Sequence, residues 1–229
     1  MKRIVIAGAL LASAASLTGC GLASIGGPTE ERVIDYDVTD KVASLSVRSE
    51  SGDIVISETA RTGIKVTETL QWRNKQPKAT HAVQGDTLAL TYDCEQSWDS
   101  CHVNYRIEVP KGLLVKTHTG SGDITLRQLS AIFEATTGSG DIEGSGLAGK
   151  KVTVDTGSGA VELKMTGAPD DVKLETGSGD VKLYLPKGPY DLDVRTGSGE
   201  SQLDLTDTPG DPHRISLQSG SGDLSVLAG

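Results

Sequence analysis

The chain has little with which to fill a broad globular interior. Aromatic residues make up 3% of it, with one phenylalanine, Phe133, and two tryptophans. Large cores draw their bulk from such side chains, so a narrow core of Val, Ile, Leu and Thr is expected. Basic residues are also short: 22 Lys and Arg stand against 31 Asp and Glu, a formal charge of −9. That balance works against nucleic acid and anionic lipid headgroups as partners. No amphipathic helical window stands out beyond the N-terminus, and no Walker A, H-E-x-x-H or G-x-S-x-G sequence occurs. The usual signatures of nucleotide, zinc-protease and serine-hydrolase chemistry are therefore missing.

What is present begins with a leader. Lys2 and Arg3 precede an apolar run from Ile4 to Leu17, the layout of a secretory signal and short for a membrane span. It ends in Leu17-Thr18-Gly19-Cys20, which resembles the lipobox of bacterial lipoproteins. The resemblance implies a diacylglycerol thioether on Cys20, cleavage before it and acylation of the new N-terminus. Two or more acyl chains give stable anchoring to a cell membrane where one does not. Residues 1–19 are thus read as a leader, 20–32 as the lipidated cysteine and a flexible linker, and 33–229 as one domain. Loss of Lys2 and Arg3 leaves 20 basic residues against 31 acidic ones, so the lipid rather than a basic patch is expected to hold the protein at the extracytoplasmic face.

Cys94 and Cys101 remain. Export to an oxidising compartment favours a disulfide between them, contributing roughly 2–3 kcal/mol in the chain-entropy account. A metal or redox pair is the competing reading, but six intervening residues exceed the Cys-x-x-Cys spacing and His102 has no obvious partners.

The dominant feature is a repeat. Thr-Gly-Ser-Gly-Asp occurs at Thr119–Asp123, Thr137–Asp141 and Thr176–Asp180, with near copies at Thr156–Ala160, Thr196–Glu200 and Ser219–Asp223. Successive first glycines, from Gly120 to Gly220, lie 18, 19, 20, 20 and 23 residues apart. A fixed period of this size signals one supersecondary unit stacked on itself. Apolar columns precede the glycines (Val115, Phe133, Val152, Val172, Leu192, Ile215) and follow them (Ile124, Ile142, Val161, Val181, Leu224). They alternate with polar residues, which gives two short half-buried strands per unit. The expected fold is all-β: a parallel β-solenoid of ~20-residue coils, with an antiparallel array of β-hairpins as the alternative. An outlying copy, Ser51-Gly52-Asp53-Ile54, opens the domain, and a β-rich insertion at about 57–112 with strands at 63–72, 87–92 and 102–109 separates it from the main array. Asn74–Lys78 and Gln84–Asp86 read as turns. The end after Val226 has no evident cap and is expected to be open to edge pairing.

These residues, the Ser-Gly-Asp-Ile copy near 51, the Tyr105–Pro110 strand (Tyr-x-Ile-x-Val-Pro) and the spaced Gly-Ser-Gly-Asp units, together resemble the DUF4097 β-strand-repeat family over roughly 33–229. The resemblance implies a right-handed solenoid-like fold on the bacterial surface, an adhesin-like role inferred from shape, relatives near envelope-stress regulators, and no catalytic residues to carry over.

Other motifs weaken on inspection. Gly144–Gly149 matches G-x-G-x-x-G, but a strand of the repeat follows where a dinucleotide site needs a helix. Asp53, Asp123, Asp141, Asp180 and Asp223 share one motif position. Calcium would suit such oxygen ligands, yet Ala160 and Glu200 interrupt the row, and a turn role is favoured. A carbohydrate-active solenoid enzyme would need clustered carboxylates, whereas the outward positions mix charge signs. The expectation is a non-enzymatic surface lipoprotein with no cofactor or metal, binding cell-wall polymer or a membrane protein, or serving an envelope-stress signalling system.

Overall fold

A computed structural model of the protein describes residues 29–95 and 101–229, and these hold nineteen strands. The leader, Cys20 and most of the proposed linker lie outside the described residues. The chain opens with β1 (Glu30–Val38), β2 (Ser44–Ser51), β3 (Ile54–Thr59), β4 (Ile64–Trp72) and β5 (Lys78–Gln84). β6 (Thr87–Asp93) and β7 (Cys101–Pro110) flank the cysteine loop. The glycine repeat then supplies six strand pairs: β8 (Leu114–Ser121) with β9 (Ile124–Arg127), β10 (Phe133–Ser139) with β11 (Ile142–Leu147), and β12 (Lys151–Ser158) with β13 (Val161–Met165). The last three are β14 (Asp171–Ser178) with β15 (Val181–Leu185), β16 (Asp191–Thr196) with β17 (Ser201–Leu203), and β18 (Arg214–Ser221) with β19 (Leu224–Ala228).

Each pair is one coil. Its first strand lies in a nine-stranded sheet and its second in a ten-stranded sheet, with the glycine arch between them. Neighbouring coils pair in parallel with like residues aligned: Phe133 faces Val115 and Val152, and Thr137 faces Thr119 and Thr156. Hairpins would instead have joined the two strands of one coil in an antiparallel ladder, so the solenoid expectation holds. The apolar columns meet between the sheets, where Leu126, Ala135, Ile142, Leu163, Leu174 and Val181 are fully buried. Eight coils at the usual strand spacing extend over about 35 Å.

The arches set the stacking. The last glycine of each Gly-Ser-Gly has positive φ, 154° at Gly140, and a Cβ placed there would sit 2.1 Å from the Gly122 carbonyl oxygen. The same carbonyl accepts a hydrogen bond from the Thr137 hydroxyl at 3.2 Å, and Gly140 in turn accepts from Thr156 at 3.2 Å. This is why Thr or Ser recurs on the buried phase: its hydroxyl reaches the neighbouring coil's arch. Ser49 is the exception, buried and without a partner among the described residues.

Two expectations need correction. The coils do not stack in chain order at the C-terminal end. β18 lies between β14 and β16, and β19 between β15 and β17. Val226 is therefore enclosed, facing Leu183 and Leu203, and the open end is β16–β17. The 23-residue gap before Gly220, the longest of the series, spans the return to the vacant position.

The N-terminal end repeats the device. β2 lies between β6 and β8, and β3 between β7 and β9, so β6–β7 is an eighth coil with the cysteine loop as its arch. The expected insertion is thus largely a coil of the stack, flanked by antiparallel strands: β4 on β7, β1 on β4 and β5 on β6. β1 begins at Glu30, inside the expected linker, and β5 takes Lys78 from an expected turn. Its sequence, KATHAVQ, is mostly exposed and carries little alternation to announce a strand.

Gly140→Ala is expected to lower unfolding stability by more than about 2 kcal/mol, combining a backbone clash with φ strain. Gly167→Ala, with nothing nearer than 3.8 Å to the added carbon, is expected to be neutral or stabilising by up to about 1 kcal/mol. Paired denaturant titrations check both.

Candidate functional site

The aspartate row has a structural occupation. Asp53 Oδ1 accepts from the Asp123 N–H at 3.0 Å, Asp123 from Asp141 at 2.9 Å, and Asp141 from Ala160 at 2.8 Å. Beyond Ala160, which has no carboxylate to offer, the row resumes: Asp180 accepts from Asp223 at 2.9 Å and Asp223 from Glu200 at 2.8 Å. Asn104 opens the series by accepting from the Asp53 N–H at 2.8 Å. Each of these carboxylate oxygens thus holds the N–H of the next coil, a bond between coils rather than the local turn bond expected. Among the described residues no group of three or more His, Cys, Asp or Glu is placed to hold a metal ion.

Cys94 and Cys101 are bonded, with Cα atoms 6.2 Å apart, and close the arch of the β6–β7 coil. Glu95 beside them accepts from Lys75 and Lys78, whose ammonium groups hold its carboxyl down to about 2. His102 on β7 pairs with Gln71 on β4 at 2.5 Å. Cys20 lies outside the described residues.

A polar cluster that sequence reasoning missed sits where the antiparallel strands close the stack. Tyr36 on β1 donates to Glu68 on β4 at 2.6 Å, and Glu68 is 2% exposed. Tyr36 stacks on His81 of β5 with ring centres 4.4 Å apart. The Tyr105 hydroxyl on β7 is buried without a partner among the described residues. Burial pushes the Glu68 carboxyl above its ordinary value, against the opposing pull of the Tyr36 bond and His81. Burial likewise raises both tyrosines, and Glu68 adds to the shift. Four strands distant in sequence contribute, so no local motif announces the cluster.

The outer face offers long surfaces. Its charges are largely matched across coils, as in Lys116–Glu134 at 3.0 Å, or along one strand, as in Lys164–Glu162 at 2.6 Å and Lys173–Glu175 at 3.0 Å. Near the open end a shallow groove of about 600 Å³ crosses four coils. Its floor is the glycine row Gly157, Gly177, Gly220 and Gly197, and Asp155, Glu175, Gln218 and Arg195 rise beside it. The row is bare because stacking requires glycine: a Cβ on Gly177 would meet the Gly157 oxygen at 2.6 Å.

Two mostly parallel sheets joined by glycine arches, with motif residues spent on stacking, define an all-β solenoid. The chain belongs to the Toastrack DUF4097 family, whose model matches residues 42–228. Among solved structures it is similar to a candidate cell-adhesion protein from Clostridium sporogenes, with TM-score 0.57 and 14% identity, covering 88% of this chain and all of that one. It is also similar to a candidate adhesin from Bacteroides fragilis, with TM-score 0.52 and 14% identity, covering 86% and 97% of the two chains. At these identities the likeness is one of fold. No curated protein matches.

Two predictions follow from the site's chemistry. Asp141→Asn keeps the oxygen that Ala160 donates to and removes a like charge, so its stability is expected within about 0.5 kcal/mol of the parent, while Asp141→Ala loses about 1 kcal/mol. A raised carboxyl stabilises the fold fully below its unfolded value of 4.5 and loses that contribution as pH rises through the folded value. Glu68→Gln removes this dependence and retains an acceptor for Tyr36. It is expected to unfold at higher temperature than the parent at neutral pH, with the gap narrowing toward pH 4.5. Thermal scans across pH measure it.

Proposed function

We propose that this chain is a non-catalytic, extracytoplasmic surface module, anchored by lipid at Cys20, that binds an extended cell-wall polymer along its outer face. The observation that carries the reading is the glycine-floored groove: a bare strip crossing four coils, with both acidic and hydrogen-bonding side chains beside it. A shallow trough of this kind suits a chain laid across the coils better than a small molecule, which is held by enclosure. In the groove Asp155 faces Glu175 on the neighbouring strand, and Glu175 pairs with Lys173 at 3.0 Å, while the motif aspartates hold the inter-coil bonds of their row. The fold shared with the candidate adhesins from Clostridium sporogenes and Bacteroides fragilis is compatible with the same kind of work.

The anchor fits the entry of the chain. Glu30 pairs with Trp72, which pairs with Cys101, so the polypeptide joins the fold at the disulfide end of the stack. Attachment at Cys20 holds that end nearest the bilayer and presents the groove toward the far end.

Co-sedimentation of residues 21–229 with purified cell-wall polymer tests the reading. Saturable binding is expected, weakened at least about tenfold by Glu175→Lys combined with Gln218→Trp, which obstruct the groove from exposed or half-exposed positions. Absence of binding, or binding that the double variant leaves unchanged, overturns it.

A further inference from the structure

We propose that a shallow depression on the outer face of the ten-stranded sheet, formed by β9, β11 and β13, binds an α-amino acid group, in which one carbon bears both an ammonium and a carboxylate. The inference rests on this depression alone and is independent of the groove, which lies on the other sheet.

The depression follows from the Gly144–Gly149 motif, which no nucleotide site uses. Gly144 occupies an inward position, and a Cβ there would meet Leu147 at 2.6 Å and Leu163 at 2.7 Å. The Leu147 side chain thus takes the space that residue 144 leaves empty. The register of β11 against β13 shifts between Gly144 and Leu147, and Gly146 carries the backbone through the irregularity with φ 68°. Bulges of this kind re-aim side chains and are frequent beside functional sites. Ser145, in the shifted stretch, faces Arg127 of β9, and Lys164 of β13 stands on its other side. A short hydroxyl side chain between two long cationic ones leaves a hollow of about 320 Å³, at the small end of ligand sites.

The fold leaves the charges of this hollow unmatched. Glu143 faces Glu162 across the coils, and like charges directly opposite are destabilising. Among the described strand pairs carboxylates face one another in one other place, Asp155–Glu175 in the groove. Elsewhere opposite charges are paired between coils, as in Lys116–Glu134 and Lys151–Asp171. Glu162 is compensated by Lys164 at 2.6 Å, whose ammonium also lies 5.3 Å from the centre of the Tyr184 ring. Glu143 and Arg127 both line the hollow, and among the described residues neither side chain has an ion pair or a hydrogen bond.

An unmatched guanidinium and an unmatched carboxylate beside one small hollow select a ligand that carries both charges close together. Arg127 offers the planar fork that holds a carboxylate through two parallel hydrogen bonds. Glu143 offers its oxygens to an ammonium, which also relieves its opposition to Glu162. The Ser145 and Thr125 hydroxyls line the same hollow and supply hydrogen bonds. A purely anionic ligand would meet the two glutamates, and a purely cationic one would meet Arg127 and Lys164. The group so selected occurs on free amino acids and at the free end of a diamino-acid side chain in a wall peptide.

The test uses residues 21–229, which carry every strand and the buried core described above. Amide chemical shifts are followed by NMR during titration with alanine to about 10 mM, a range that reaches weak binding. Saturable shifts are expected in β9, β11 and β13 and not along the groove. N-acetylalanine, which lacks the ammonium, and alanine amide, which lacks the carboxylate, are each expected to bind at least about tenfold more weakly. Arg127→Gln and Glu143→Gln are each expected to weaken alanine binding at least about tenfold. Thermal unfolding is expected to show Glu143→Gln as stable as the parent or more so, because a facing charge is removed. A capped peptide whose only such group is a diamino-acid side-chain end identifies the source: binding tighter than that of alanine assigns it to the wall, and weaker binding assigns it to the free amino acid. No saturable shift with either ligand overturns the proposal. So does binding of the two blocked alanines as tight as that of alanine, or binding that both variants leave unchanged. None of these results bears on co-sedimentation through the groove.

Discussion

The structure depends on how closely one backbone arch rests on the next. The carbonyl oxygens of Gly122 and Gly140 lie so near the succeeding arch that a methyl group would collide with them. Once that approach is secured, the rest of the motif falls into place around the same oxygens. A threonine hydroxyl bonds the carbonyl from within, and an aspartate carboxylate takes the neighbouring N–H from outside. The threonines and aspartates of the motif are thus engaged in bonds between coils.

The same constraint produces the outer face. A column that must be glycine leaves a bare strip, and the residues on either side of it become the walls of a shallow trough. Surface and core are thus two views of one requirement. Where Cys94 and Cys101 replace the glycines, the arch is closed by a covalent bond instead, and the Thr-to-carbonyl series stops at Ser49, whose hydroxyl is left without a partner among the described residues.

Much of this was legible in the sequence because parallel stacking aligns equivalent residues. Columns such as Val115, Phe133 and Val152 could be read before any coordinate was known, and they pair as read. The order of the end coils was not legible, since β18 has the same column pattern whether it follows β16 or slips beneath it. Only the longer connection before Arg214 hinted at the difference. β5 carries too little apolar alternation to be legible as a strand, and the start of β1 is hidden because Glu30 and Glu31 look like linker. The Tyr36, Glu68, His81 and Tyr105 cluster is assembled by antiparallel strands whose partners no periodicity identifies. The aspartates read as turn residues, but their reach into the next coil is visible only in the geometry.

The placement of the last coil bears on how the molecule resists force. In an ordinary solenoid the final turn sits at the tip and can peel away, breaking one interface at a time. Here β18 and β19 are gripped on both flanks, so a pull on Gly229 must draw out a coil from within the stack and break both interfaces together. The weakly held turn at the tip has chain leading back from either side, and this arrangement hides the place where unravelling would most easily begin.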